Sequence, residues 1–134
     1  MPTSVAEAEE EDKQNGLKFS PFFIGKVESM ATVVITGGSR GIGAAAVELF
    51  TARKDRVVFL YEKNHEAAAA VTAKTGAEAI CCDVSDGNAV KAAFEKIGDV
   101  DILICNAGIM HFGLLSMMEE SAWDRLFDVN VKGI

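Results

Sequence analysis

Four glycines, Gly37, Gly38, Gly41 and Gly43, fall within a seven-residue stretch, with Ser39 and Arg40 between them. These residue types at this spacing suit the binding of a phosphate. Glycine lets the backbone take positive φ angles and lets another group approach without meeting a Cβ. The residues before the turn, 32–36 (T-V-V-I-T), are β-branched, and those after it are rich in alanine, so the stretch reads as strand, tight turn and helix. A helix opening at such a turn points its free N–H groups and the positive end of its dipole outward, toward an anion. The spacing is G-x-x-x-G-x-G and not G-x-G-x-x-G, and no Gly-Lys-Ser/Thr follows as a Walker A loop requires. Alone, the turn says that a phosphate can sit at a helix start, and a purely structural tight turn remains open.

The elements that must position this turn alternate regularly. After the strand at 32–36, residues 42–54 read as a helix with Ile42, Ala46, Leu49 and Phe50 on one face. Residues 57–61 (V-V-F-L-Y) read as a second strand, and 65–75 as an Ala/Val-rich helix closed by Gly76. A third strand is expected over 78–83. Ser85 and Asp86 offer N-caps for a helix running to Ile97 and ended by Gly98. A fourth strand is expected over 100–106, apolar on both faces at Ile102, Leu103 and Ile104, as a central parallel strand is. A loop with Gly108 and Gly113 follows, and Ser121 is expected to cap a helix that runs to Ile134.

Four βα units with short connections imply an α/β fold, a doubly wound parallel sheet of the Rossmann type with strand order 3-2-1-4. Ligands of such sheets bind beyond the carboxyl ends of the strands, where the order reverses between strands 1 and 4. The glycine-rich turn and the end of strand 4 (Cys105, Asn106, Ala107, Gly108) are therefore expected to face one crevice, with Asp83 ending strand 3 on the same side.

The 134 residues carry a net charge of −7, are 49% hydrophobic and hold three cysteines. That composition fits one globular domain. The charge argues against nucleic acid or an anionic membrane as partner, and no apolar run reaches the length needed to cross a bilayer. Cys81, Cys82 and Cys105 lack metal-site spacing, so they read as free buried thiols of a cytoplasmic protein, with no metal. Residues 1–29 differ in kind: an acidic cluster (Glu7, Glu9, Glu10, Glu11, Asp12) precedes a short aromatic patch around Phe19, Phe22 and Phe23. They read as a flexible acidic tail without chemistry, with a docking peptide or a misplaced start as alternatives, since Met30 stands just before the first strand.

The combination T-G-G-S-R-G-I-G, then Asp83-Val84, then C-N-A-G at 105–108, then V-N-V-K-G at 129–133 resembles the short-chain dehydrogenase/reductase family. The nearest likeness is to the 3-oxoacyl-acyl-carrier-protein reductase type. The resemblance covers residues 32–134. It implies that Gly37, Gly41 and Gly43 form the cofactor turn, with Ser39 and the Ile42 amide against the pyrophosphate and the adenosine ribose. It further implies that Asp83 accepts a hydrogen bond from the adenine amino group with Val84 flanking the ring. Asn106, Ala107 and Gly108 would line the path to the nicotinamide, and Asn130 would hold a water in the catalytic proton relay. Cys105 departs from the asparagine usual at its position.

Family members that use NAD carry an acid at the end of strand 2 for the ribose 2′-OH. Tyr61 stands there instead, and Arg40, with Lys63, can pair with a 2′-phosphate. Glu62 would repel that phosphate if it pointed inward. NADP is therefore expected over NAD. The family protonates the product oxyanion with a serine and a Tyr-x-x-x-Lys pair, yet Tyr61 is the sole tyrosine and His65 stands four residues on. The chain is expected to be the cofactor-binding part of a larger oxidoreductase, truncated after strand 4 and the next helix. That enzyme would act on a small carbonyl, alcohol or acyl-thioester substrate and assemble as a homo-oligomer. A stand-alone dinucleotide-binding or redox-sensing module is the alternative, and an S-adenosylmethionine-dependent methyltransferase is a third reading.

Overall fold

Apolar β-branched residues draw the chain into a sheet, and the computed structural model, which describes residues 30–134, shows how its edges are set. Strand β1 (Thr32–Thr36) pairs in parallel with β2 (Arg56–Tyr61) on one side and β4 (Ile102–Ile104) on the other, and β2 pairs with β3 (Glu78–Cys81). The order is β3-β2-β1-β4, with all strands parallel. Val34 stands level with Val58 and Leu103, so β1 is the centre of the register.

Alternation along β1 and β2 sends side chains to two cores. On one face Val33, Ile35, Val57 and Phe59 pack with Val47 of helix α1 (Gly41–Ala52) and Ala68 and Val71 of α2 (His65–Thr75). On the other, Val34, Val58 and Leu60 pack with Ala93 and Ile97 of α3 (Gly87–Ile97). Helices thus cover both faces, the doubly wound arrangement. Removing a fully buried ring such as that of Phe59 costs about 3–5 kcal/mol by general experience, so these two clusters carry the fold.

The helix faces and ends differ from expectation in places. α1 turns Gly43 and Val47 inward, with Ala46 and Phe50 partly buried, whereas Ile42 and Leu49 are exposed. The close seat of Gly43 on the turn fixes that rotation. α1 stops at Ala52 because Lys54 adopts a left-handed φ of 71° and donates its N–H to the Thr51 carbonyl. Asn64 caps α2 through Ala67 N (2.9 Å), and Gly76 closes it at φ 76°. Asp86, not Ser85, caps α3. Helix α4 (Glu120–Phe127) starts at Glu119 with no side-chain cap; Ser121 lies inside its first turn. A π turn, Asp128–Lys132, follows before the chain reaches Ile134.

Strands β3 and β4 are shorter than the apolar runs suggested. Before β4, Asp101 N still donates to Thr32 O at 3.0 Å, but Thr32 N donates to Asp101 Oδ2 at 2.8 Å, so a side chain takes one place in the ladder. After β4, the Asn106 and Ala107 amides turn onto the Thr36 hydroxyl. The thiols also differ: Cys82 alone is buried, while Cys81 and Cys105 are exposed, and all three are free. The expected acidic tail at 1–29 lies outside the described residues. Among the described residues no helix is long and apolar enough to cross a membrane.

Candidate dinucleotide cleft

The carboxyl ends of the strands open onto a cleft of about 730 Å³. Its wall includes Gly37, Ser39, Arg40, Gly41, Ile42, Tyr61, Asp83, Val84, Asn106, Ala107 and Gly108, together with Glu62 and Lys63. The β1–β4 reversal thus brings residues as distant in sequence as Gly37 and Gly108 to one cavity. Gly43 and Asn130 stand outside the wall and support it from behind.

The glycines act in different ways. Gly37 has φ 70°, and a Cβ there would stand 2.9 Å from the Ala107 Cα. A Cβ on Gly43 would collide with the Gly37 carbonyl oxygen and come within 2.6 Å of the Asn106 amide nitrogen. Gly38 presses on Phe59 and ties the turn to the core. Gly41 is the exception: its φ is 53°, but nothing lies within 4 Å of the position a Cβ would take. The space before it is open cleft.

Helix α1 begins at this point. Arg40 is its N-cap residue in extended conformation, makes no side-chain capping bond, and no acidic residue occupies the first turn. The contrast is with α2 and α3, whose first N–H groups are met by Asn64 and Asp86. The start of α1 therefore leaves its positive end facing the cleft without a side-chain cap. That donor set and the open space before Gly41 fit a pyrophosphate.

Asn106 locks the two sides of the cleft together. Its Nδ2 donates to the carbonyls of Thr36 (3.0 Å) and Gly37 (3.2 Å), and its backbone N donates to the Thr36 hydroxyl at 3.0 Å. The buried Thr36 hydroxyl also accepts from Ala107 N at 2.9 Å. Thr36 thus belongs to the site although it is not among the residues expected there, and its one local signal is a hydroxyl ending an apolar strand next to the turn. Asn130 forms a reciprocal pair with Ile109: Oδ1 accepts from Ile109 N at 2.8 Å and Nδ2 donates to Ile109 O at 2.9 Å. Its amide thus fixes the loop after β4, and it does so from a π turn, a geometry frequent at functional sites.

The rim on the β2–β3 side is charged. Tyr61 Oη lies 3.0 Å from His65 Nδ1 and the two rings meet edge to face. Asp83 Oδ1 accepts from the Ser85 amide (2.9 Å) and hydroxyl (2.7 Å), while Oδ2 accepts from Arg125 Nη2 at 2.9 Å. Burial alone would raise the Asp83 pKa. The Ser85 bonds and the Arg125 guanidinium outweigh it and hold the carboxyl below its ordinary value. The same Nη2 stands 3.0 Å from Glu62 Oε1, and Lys63 Nζ reaches that oxygen at 2.7 Å. Lys63 is thus paired with Glu62 at the rim, and among the described residues Arg40 is the basic residue of the wall that makes no ion pair. No spacing signal links Arg125 to residues 42 and 63 positions earlier, so only the fold reveals it.

A family model described as short chain dehydrogenase matches residues 31–134. The chain is 43% identical over 100 residues to the cyclic-di-GMP-binding biofilm dispersal mediator protein of Escherichia coli (strain K12), covering 75% of this chain and 42% of that protein. It is 34% identical over 112 residues to the 3-oxoacyl-acyl-carrier-protein reductase FabG of Staphylococcus aureus (strain N315), covering 77% and 46%. The solved structure of BdcA in complex with NADPH matches with a TM-score of 0.74 at 42% identity, over 77% of this chain and 42% of that one. The chain spans less than half the length of these relatives.

Proposed function

The chain belongs to the short chain dehydrogenase family, and from that premise we propose that its cleft is the dinucleotide site of an NADP-dependent oxidoreductase interconverting a carbonyl and an alcohol. The observation that carries the reading is the uncapped start of α1 facing open space at Gly41, inside a cleft whose other walls are Asp83, Val84 and Asn106 to Gly108. The α1 amides and Ser39 hold the pyrophosphate, Asp83 takes the adenine amino group beside Val84, and Asn106 to Gly108 guide the ring end. Asn130 keeps the loop at Ile109 in place and carries the water of the proton relay.

NADP is favoured over NAD because Tyr61, not an acid, ends β2, and because Arg40 offers a guanidinium to a 2′-phosphate. The NADPH complex of BdcA supports the same preference. When bound, the nicotinamide supplies or takes the hydride. The substrate reading is a small carbonyl, alcohol or acyl thioester, as for the 3-oxoacyl reductase relative. The family protonates the product oxyanion with a Tyr-x-x-x-Lys pair, and these 134 residues contain none.

Titration of the protein with both dinucleotides tests the proposal. NADPH is expected to bind more tightly than NADH, and Arg40→Ala is expected to remove most of the difference. Equal or tighter binding of NADH by the unmodified protein would refute the NADP preference.

A further inference from the structure

Arg125 reaches from α4 across to two carboxylates on the cleft rim. One guanidinium nitrogen, Nη2, sits 2.9 Å from Asp83 Oδ2 and 3.0 Å from Glu62 Oε1, and Nη1 contacts Asp83 Oδ1 at 3.4 Å and the Ser85 hydroxyl. Glu62 lines the same cleft as Arg40, directly after the strand end where a 2′-phosphate would lie. Left unpaired, a carboxylate there would repel a phosphate dianion and draw Arg40 away from it. Arg125, helped by Lys63, neutralises it.

We propose that Arg125 is the positioning residue that sets cofactor preference, by discharging Glu62 beside the 2′-phosphate position while holding Asp83 for the adenine. The inference rests on the dinucleotide reading of the cleft. An ionised carboxylate offers about four acceptor positions. The Ser85 amide, the Ser85 hydroxyl and Arg125 Nη1 all meet Asp83 Oδ1, while among the described residues Nη2 is the one donor on Oδ2, which leaves Oδ2 room to accept from an exocyclic amine. Both NADPH and NADH use the Asp83 contact, but only NADPH meets Glu62 through a 2′-phosphate. Arg125 therefore acts on the ratio of the two affinities, which a purely structural role would leave alone.

The test measures dissociation constants of NADPH and NADH for the unmodified protein, Arg125→Met, Glu62→Gln and the double variant. Arg125→Met is expected to weaken NADPH about tenfold more than NADH, about 1.4 kcal/mol of preference. Adding Glu62→Gln to it is expected to restore most of the NADPH to NADH ratio. Glu62→Gln alone keeps the guanidinium in place, so it tests the idea even if Arg125→Met unfolds; it is expected to shift the ratio toward NADPH. An equal loss for both cofactors in Arg125→Met, or no shift of the ratio in Glu62→Gln, overturns the proposal while leaving the cleft reading intact. If the unmodified protein binds neither dinucleotide, the cleft reading fails and this inference falls with it.

Discussion

Asn106 and Thr36 are joined twice: the Asn106 backbone N–H meets the Thr36 hydroxyl at 3.0 Å, and the Asn106 amide donates to the Thr36 carbonyl, also at 3.0 Å. The two residues are 70 positions apart, so this junction closes the β1–β4 reversal. The amide's second bond, to Gly37 O, carries the closure into the glycine turn. Fold and site share one side chain.

Replacing Asn106 with alanine leaves two carbonyls without their donor in a partly buried place. Such losses cost about 1–3 kcal/mol. Urea unfolding of Asn106→Ala should show a loss of that size with an unchanged dependence on denaturant. Dinucleotide affinity should fall with it, because the turn no longer has its brace. Unchanged stability would mean that water replaces the amide without penalty.

Gly41 and Gly43 should respond oppositely to alanine. At Gly43 the methyl meets the Gly37 carbonyl and the Asn106 amide, so stability should suffer most. At Gly41 the methyl enters open cleft, and the cost to folding is confined to the left-handed backbone, about 1–2 kcal/mol. That methyl stands where the phosphate would approach, so binding should be hit harder than folding. Thermal melts and cofactor titrations on the two variants separate these effects. If Gly41→Ala bound dinucleotide normally, the phosphate would have to lie elsewhere.

Asp83 makes stability depend on pH in a fixed direction. Its folded pKa is below the ordinary value of 3.8. A group with a depressed folded pKa contributes its full stabilisation above the unfolded value, and that contribution drains away as pH falls through the folded one. The stability gap between the unmodified protein and Asp83→Asn should therefore be widest near neutrality and close in strong acid. A gap that stayed constant as the carboxyl protonated would show that the charge on Asp83 is not what Ser85 and Arg125 recognise.

The sheet order was legible because it follows from alternating βα units and the handedness of their crossovers, and the glycine turn was legible because its chemistry is local. The cleft wall was also legible, since strand ends point one way in a parallel sheet. The failures have physical reasons. Ile42 and Leu49 fit a helical period as well as Val47 does, and only the close seat of Gly43 on Gly37 and Asn106 decides which side turns inward. Arg125 acts through partners 40 to 63 positions away, which no local pattern encodes, and the strand-end hydroxyl of Thr36 marks its place but not its partners 70 and 71 positions on. The pairing of Lys63 with Glu62 is likewise visible only in the fold, since adjacent residues in a sequence give no sign of which way their side chains turn.

Backbone hydrogen exchange with and without NADPH tests the dinucleotide cleft most directly, since it reports on the amides themselves. Saturating NADPH should slow exchange at residues 37–43, at Asp83 and Val84, and at residues 106–108, while the outer face of α3 stays unchanged. Protection confined to other segments, or none at these three, would contradict the assignment of the cleft.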